Sequence, residues 1–468
     1  NYAIRGLINS ASNDFVQKLR SEVKELKIDF FGDISNFVNL ERLDMSYNGA
    51  GKQTISYLKE FSVFEKLTSL SIHGEFIHTD QDLKGFLNLK GLTHLKLSIS
   101  LLSSGKNALP LKTLVGMENC SELQELSIDG CAKLIDVEGI NGCQKLKSIE
   151  LSEAKRLENL NGLKGLKSLK TININDAEAL DNLDGLKGCD SLEEIKIDGS
   201  NYSGNKKIKQ PIKNVDGLIG LKKLKDLNLS SFNSLKNVDG LKGCSDLSYL
   251  NISSDSLENI NGLKNLKALR GIQLDTVKLN NIDGLSGCEN LDDFNIQSKD
   301  IKNLNGLKGC DKLQELNIPS SAKSLNLDGL ASMNSLRVIN FRDCEIKSFD
   351  FTQKIPPITY ADIKSSNQIK SLEGIGNLIN LEKIIIKDCT NLENLKGIEN
   401  IKTLESVIIQ DCKSLKDVKA LLSLPKLKVF KMRSCGIKKE ELPGHLKVIV
   451  ETTISHMDED SYSFRDKK

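Results

Sequence analysis

The residues best equipped for chemistry in this chain are its eleven cysteines and five histidines. Thiols close disulfides, bind zinc or, as thiolates, attack a substrate. A zinc site needs ligands at short fixed spacings, yet no Cys-x-x-Cys occurs. His73, His78, His94, His445 and His456 offer no such spacing, although His73 and His94 are placed so that they could approach one another. There is no Walker-type phosphate loop and no Gly-rich dinucleotide turn. No Ser/His/Asp set can be argued from spacing. The expectation is a protein without catalytic residues, without a bound metal and without a cofactor.

The cysteines instead fall in two registers. Cys143, Cys189, Cys244, Cys288 and Cys310 each follow a glycine, with Cys120 after Asn119. Cys131, Cys344, Cys389, Cys412 and Cys435 each lie three residues past an alternating apolar pair. Such regularity points to packing, with Cys as a small apolar filler.

The chain of 468 residues is 39% hydrophobic but only 5% aromatic, with no Trp. Thin layers closed by aliphatic side chains fit that make-up better than one large core. Lys plus Arg is 65 and Asp plus Glu is 63, so the net charge of +2 names no partner class. No apolar run approaches the roughly 18 residues of a membrane span. The chain opens at Asn1 without an initiator Met or a signal-peptide core, and that start is read as a processed end or an artificial boundary.

The elements that would position any site are repeats. The block Asn161-Gly162-Leu163-Lys164-Gly165-Leu166 returns at Asp184–Cys189, Asp239–Cys244, Asp283–Cys288 and Asn305–Cys310. Each copy precedes L-x-x-L-x-L, as in Leu169-x-x-Ile172-x-Ile174. The first position of that pattern recurs nineteen times from Val23 to Leu446, and from Leu224 to Leu427 every step is 22 or 23 residues. The alternation predicts a strand with one buried face, and a unit this short buries that face only by stacking on neighbours. The Asn/Asp-Gly supplies a turn, where Gly accepts unusual backbone angles. The chain then returns along the outer side through 3₁₀ or irregular turns. Eighteen steps of about 4.8 Å make a parallel sheet roughly 85 Å along its inner arc.

The pattern resembles the leucine-rich repeat, L-x-x-L-x-L-x-x-N/C-x-L, over nearly the whole chain. Its short period is similar to that of bacterial internalins and of the leucine-rich phosphatase-regulatory subunit. The N/C position departs from the family pattern, being often Ser, Ala or Asp, with Asn48 and the five cysteines of the second register as the matches. The resemblance implies an α/β solenoid, a horseshoe or arc with a parallel sheet on the concave face and 3₁₀ turns on the convex face. Extracellular members usually close their ends with disulfide caps. Here no Cys precedes 120 or follows 435, so a cytoplasmic, reducing location is expected, with an extracellular one as the alternative.

Three regions are delimited: a helical cap over 1–22 (Phe15, Val16 and Leu19 at helical spacing), a solenoid of about 19 repeats over 23–454, and a tail over 455–468. Four steps are long, at 27, 25, 31 and 32 residues, and the last carries the polar segment Ser200–Lys209. It reads either as a tolerated loop or as a ligand-touching insertion. The tail is either disordered or laid on the final repeat.

The variable positions of the pattern are expected to line the concave face. In the middle repeats they make an acidic, hydrogen-bonding groove: Glu150, Glu153, Asp176, Glu193, Glu194, Asp198, Asp226, Asp292 and Asp293, interleaved with Asn173, Asn228, Asn251, Asn295 and Asn317. Towards the C-terminus the surface changes to Arg342, Tyr360, Ile385, Ile408, Lys431 and Arg433. Ile385 and Ile408, expected exposed on neighbouring strands, mark either a contact patch or a strip covered by the tail. A row of Lys164, Lys187, Lys242, Lys264 and Lys308 on the return segment suits an acidic partner or is simply a copied solvated lysine. Without interleaved aromatics for base stacking, nucleic acid is disfavoured.

The leading expectation is a non-catalytic scaffold that holds a protein partner on the concave face, in an oligomeric state the sequence leaves open. The alternatives are a secreted or surface adhesion or effector module of the internalin kind, and a structural subunit of a permanent cytoskeletal or organellar assembly.

Overall fold

A computed structural model describes residues 14–28, 34–46, 63–74, 89–98, 108–199, 211–298, 300–318, 325–349, 355, 358–437 and 448–450. The polar segment Ser200–Lys209 and the tail over 455–468 lie outside the described residues, as do His78, His445 and His456. The chain divides into two compact units, Asn1–Ile296 and Gln297–Lys468.

The first unit opens with helix α1 (Asp14–Glu22) and then carries one parallel sheet. Its strands are β1 (Glu25–Ile28), β2 (Arg42–Ser46), β3 (Ser69–His73), β4 (His94–Ser98), β5 (Glu125–Ile128), β6 (Ser148–Leu151), β7 (Thr171–Ile174), β8 (Glu194–Asp198), β9 (Asp226–Ser230), β10 (Tyr249–Ser254), β11 (Gly271–Thr276) and β12 (Asp293–Gln297). A second parallel sheet holds β13 (Glu315–Ile318), β14 (Val338–Arg342), β15 (Tyr360–Lys364), β16 (Lys383–Lys387), β17 (Ser406–Gln410), β18 (Val429–Arg433) and β19 (Val448–Val450). In both sheets spatial order equals chain order, as stacking of consecutive repeats requires. Every strand begins two residues after the Leu, Ile or Val that opens the sequence pattern. The repeat spacing runs evenly past the division of the ladder between Gln297 and Glu315.

One repeat shows the packing. Ile172 and Ile174 of β7 point inward, and Ala177, Leu180, Leu183, Leu186, Cys189 and Leu192 follow them into the interior, all at most 1% exposed. Each fully buried aliphatic contributes about 1.5–3 kcal/mol relative to exposure. That gain exists only where the adjacent repeats cover it, so stability passes from neighbour to neighbour.

The outer turns are built by local hydrogen bonds. In the first unit Asn159, Asn182, Asn237 and Asn259 each accept, through Oδ1, the backbone N–H two residues on, at 3.0 to 3.2 Å. This Asx turn leads into a one-turn 3₁₀ segment such as Asp239–Leu241. The glycine within that segment has a different role from the one its sequence suggests. A Cβ on Gly240 would lie 2.0 Å from the Val215 carbonyl oxygen, so close approach of stacked turns excludes any side chain. Backbone freedom is used instead at Gly243 (φ +87°). In the second unit Gly397 meets both demands at once, with φ +115° and the Leu372 oxygen 2.1 Å from a built Cβ.

The cysteines form two ladders, and ten of the eleven are buried. Cys189 Sγ donates to Leu163 O at 3.1 Å, and Cys131 Sγ to Ile128 O at 3.1 Å. Burial pushes the thiols of Cys244 and Cys288 up to about 11, so neither is a thiolate at neutral pH. Within α1, Val16 of the expected apolar set is buried together with Arg20, and Leu19 is half-buried, while Phe15 is 69% exposed.

Candidate functional site

On the exposed strand face, parallel register lines up side chains that are 22 to 32 residues apart in sequence. One row runs Glu150, Asn173, Lys196, Asn228, Asn251, Gln273 across β6 to β11. A second, two residues earlier, runs Glu194, Asp226, Tyr249, Gly271 across β8 to β11.

Most of the carboxylates expected to form an acidic groove already have partners within the sheet. Glu193 lies between Lys170 (3.2 Å) and Lys225 (2.7 Å), and these ammonium groups hold its carboxyl below the ordinary value. Glu194 pairs with Lys196, and Asp292 with Arg270 at 2.8 Å. Glu150 accepts from Ser127 Oγ at 3.3 Å and Asn173 Nδ2 at 3.4 Å. Glu153 and Asp176 sit past the ends of β6 and β7, in left-handed turns (both φ 57°), so they edge the face rather than line it. Asp198 and Asp293 lie on β8 and β12.

Asp226 differs. Among the described residues it has neither an ion pair nor a hydrogen bond to its carboxylate. Burial, and then the neighbouring Glu194, push its carboxyl above the ordinary value. Beside it on β10 stands Tyr249, 47% exposed, whose ring occupies the space a Gly271 side chain would take: a built Cβ would meet Cδ1 at 2.6 Å. Around them is a cavity of about 260 Å³, lined by Lys196, Asp226, Asn228, Tyr249, Asn251, Gln273 and Asp293 among others. Asn228 Oδ1 is buried there with no hydrogen-bond partner among the described residues. Sequence reasoning named Asp226 and the amides but missed Tyr249 and Gly271. The available signal was an aromatic residue followed by a glycine at the same place of the next repeat.

The second unit's face is built differently. Its central row reads Asn317, Asn340, Asp362, Ile385, Ile408, Lys431 across β13 to β18. Ile385 and Ile408 are half-buried rather than exposed, because each leans on the other across the ladder. Arg342 pairs with the buried Asp362 at 3.1 Å, and Arg433 with Asp411 at 3.7 Å. Lys383 Nζ stands 5.6 Å from the Tyr360 ring centre. Arg342, Lys364, Lys387, Gln410 and Arg433 form a largely basic row at the strand ends.

Other chemistry finds less support. His73 and His94 sit at opposite ends of neighbouring strands, in register with Ser98 and Ser69 respectively, so the spacing that suggested a pair separates them. His73 does meet Ser98 Oγ through Nδ1 (2.5 Å) and Asp44 Oδ1 through Nε2 (3.8 Å). Ser98 is 8% exposed, which keeps its oxygen from a substrate. Among the described residues no group of three His, Cys, Asp or Glu could hold a metal ion. Lys164, Lys187, Lys242, Lys264 and Lys308 all project from the outer turns, with Lys187 paired to Asp184 at 2.8 Å. No helix among the described residues is long and apolar enough to cross a membrane.

Comparison with curated protein sequences finds no match. Among solved structures the chain is similar to an internalin of Listeria monocytogenes (16% identity, 92% of this chain and 93% of that one, TM-score 0.43). It is similar to a leucine-rich repeat protein of Leptospira interrogans (14% identity, 92% and 95%, TM-score 0.39). It is also similar to a plant peptide hormone receptor solved in complex with RGF2 (15% identity, 86% and 87%, TM-score 0.28). The family model for the BspA-type leucine-rich repeat region matches residues 116–239, 218–337 and 334–458, in six copies. These matches span well over half of the chain, and they coincide with the stacked strands and 3₁₀ turns described above: the chain belongs to the BspA-type leucine-rich repeat family.

Proposed function

We propose that this chain is a non-catalytic scaffold that holds a protein partner against its exposed strand face. Leucine-rich repeat proteins are generally protein-binding scaffolds. The observation that carries the reading is the patch over β8–β11. In a sheet whose other charges are largely matched, it keeps an unpaired carboxylate, an exposed aromatic ring and a row of amides side by side. The outer turns present repeated, self-paired polar groups and suit a solvated surface.

A photo-crosslinking side chain at Asn251, on the face, is compared with one at Lys242, on an outer turn. In extract of the native cells the first is expected to give discrete partner adducts and the second none. Equal adducts from both would sink the reading.

A second reading, a subunit of a permanent assembly, is favoured by the Ile385–Ile408 pair, whose apolar surface would hold a partner through high salt. On location, the cysteines lose their weight. Ten thiols shut inside the repeats are inert in either compartment, so they do not favour a reducing one. BspA-type repeats are often surface or secreted, which favours the extracellular alternative.

A further inference from the structure

The cavity over β8–β11 gathers the Asp226 carboxylate, the Tyr249 ring and several side-chain amides, and the one ammonium that lines it, Lys196, is ion-paired to Glu194. We propose that the cavity is a socket for a cationic side chain, an arginine on an extended segment of the partner, held between the Asp226 carboxylate and the Tyr249 ring. The proposal rests on the reading of the strand face as the partner surface and names the chemistry of what docks there.

Four observations converge on a cation. Asp226 has no direct ion pair among the described residues: Lys196 and Lys225 draw its carboxyl down only partly, each being paired to a glutamate, and its register neighbour Glu194 adds like charge. The one ammonium lining the cavity, that of Lys196, is already held by Glu194. The face of an exposed tyrosine ring attracts cations through its quadrupole, most strongly when partly desolvated. Gly271 leaves open the space into which this ring leans. At about 260 Å³ the cavity is smaller than the roughly 300–1,000 Å³ of small-molecule sites, and suits a single long side chain.

Arginine fits better than lysine. Its planar fork can donate to Asp226 while its flat face lies on Tyr249. A further donor would satisfy the Asn228 oxygen once that amide turns toward it. An anion would face Asp226 and Asp293. A neutral ligand would leave the Asp226 charge uncompensated. Burial already raises the Asp226 carboxyl, so a bound cation would reverse that shift and bind more tightly as the group ionises.

The test uses the full chain and a fluorescein-labelled, Gly/Ser-flanked peptide bearing one arginine, read by anisotropy at low salt. The same peptide with Gln in its place serves as the neutral control. Saturable binding is expected, with the Gln peptide weaker by about tenfold or more. Asp226→Asn and Tyr249→Ala should each cost about tenfold. Glu158→Gln, which removes an exposed carboxylate outside the strands, should change nothing. A thermal melt of Asp226→Asn no lower than that of the parent shows that its loss of binding is not unfolding. The socket is overturned by equal binding of the two peptides, by an Asp226→Asn variant that binds like the parent, or by no saturable binding. If the peptide fails while Asn251 still crosslinks to a partner, the socket falls and the scaffold stands. If adducts arise equally from both faces, the scaffold reading falls whatever the peptide does.

Discussion

The strand faces of β8–β11 and β15–β18 use the same backbone pattern to different ends. Each offers one outward side chain per strand in a central row: Lys196, Asn228, Asn251, Gln273 in the first unit, and Asp362, Ile385, Ile408, Lys431 in the second. In the first, the amides leave a cavity whose carboxylate, Asp226, has no direct ion pair. In the second, two isoleucines lean together, and the one buried carboxylate, Asp362, has Arg342 as its counter-ion. The outer turns differ too. That difference runs within the first unit as well: Gly139, like Gly397 of the second unit, meets a preceding carbonyl in the left-handed region, whereas Gly240 meets one outside it. The repeat therefore dictates where side chains point and where none fits, and leaves the chemistry of each row free. A polar, amide-rich row in one unit and an apolar pair in the other follow from that freedom.

The largest effect should come from the turns. Gly240→Ala meets only the close approach and is expected to cost about 1–3 kcal/mol. Gly397→Ala adds about 1–2 kcal/mol of left-handed strain to the same clash and should cost more. Urea unfolding of the two variants checks the order; equal midpoints would mean that the two turns relax alike.

Exchanging the rows is the next test. Ile408→Asn removes an apolar cross-strand pair and should cost up to about 1 kcal/mol. It should also remove any partner contact in the second unit that survives high salt. Asn251→Ile should leave stability nearly unchanged while blocking the cavity. If Ile408→Asn leaves salt-resistant capture intact, the apolar contact lies elsewhere.

The smallest effects are in pH dependence, and they have opposite signs. The Asp226 carboxyl is raised by burial, so its stability contribution is greatest below the ordinary Asp value near 3.8 and is lost as pH rises through the higher folded value. Asp226→Asn should therefore match the parent in acid and become relatively more stable toward neutral pH. Glu405 in the second unit is held low by a hydrogen bond from Lys428, so its contribution is present above the ordinary value and fades as pH falls through the lower folded one. Melting curves of Asp226→Asn and Glu405→Gln between roughly pH 3 and 7 would diverge from the parent in opposite directions. Curves that diverge the same way would refute the contrast.

Much of the fold is legible in the sequence. The recurrence from Val23 to Leu446 located the strands, and the two cysteine registers became two buried ladders. The candidate site was legible only in part. Asp226, Asn228 and Asn251 could be named as outward positions, but Glu193 and Asp226 looked equivalent on paper. Their difference lies in Lys170 and Lys225, which parallel pairing brings to Glu193 from the strands on either side. Likewise Tyr249 and Gly271 are 22 positions apart, and only the register makes one lean over the other.

By itself the sequence determined the solenoid. A 22–23 residue aliphatic period cannot bury its apolar face except by stacking, and that constraint is local and repeats in every copy. Tertiary structure alone decided which charges cancel and which carboxylates, Asp226 among them, have no direct ion pair. Those outcomes depend on distances between side chains of different repeats, a few ångströms in space and more than twenty residues along the chain, and a periodic pattern does not encode them.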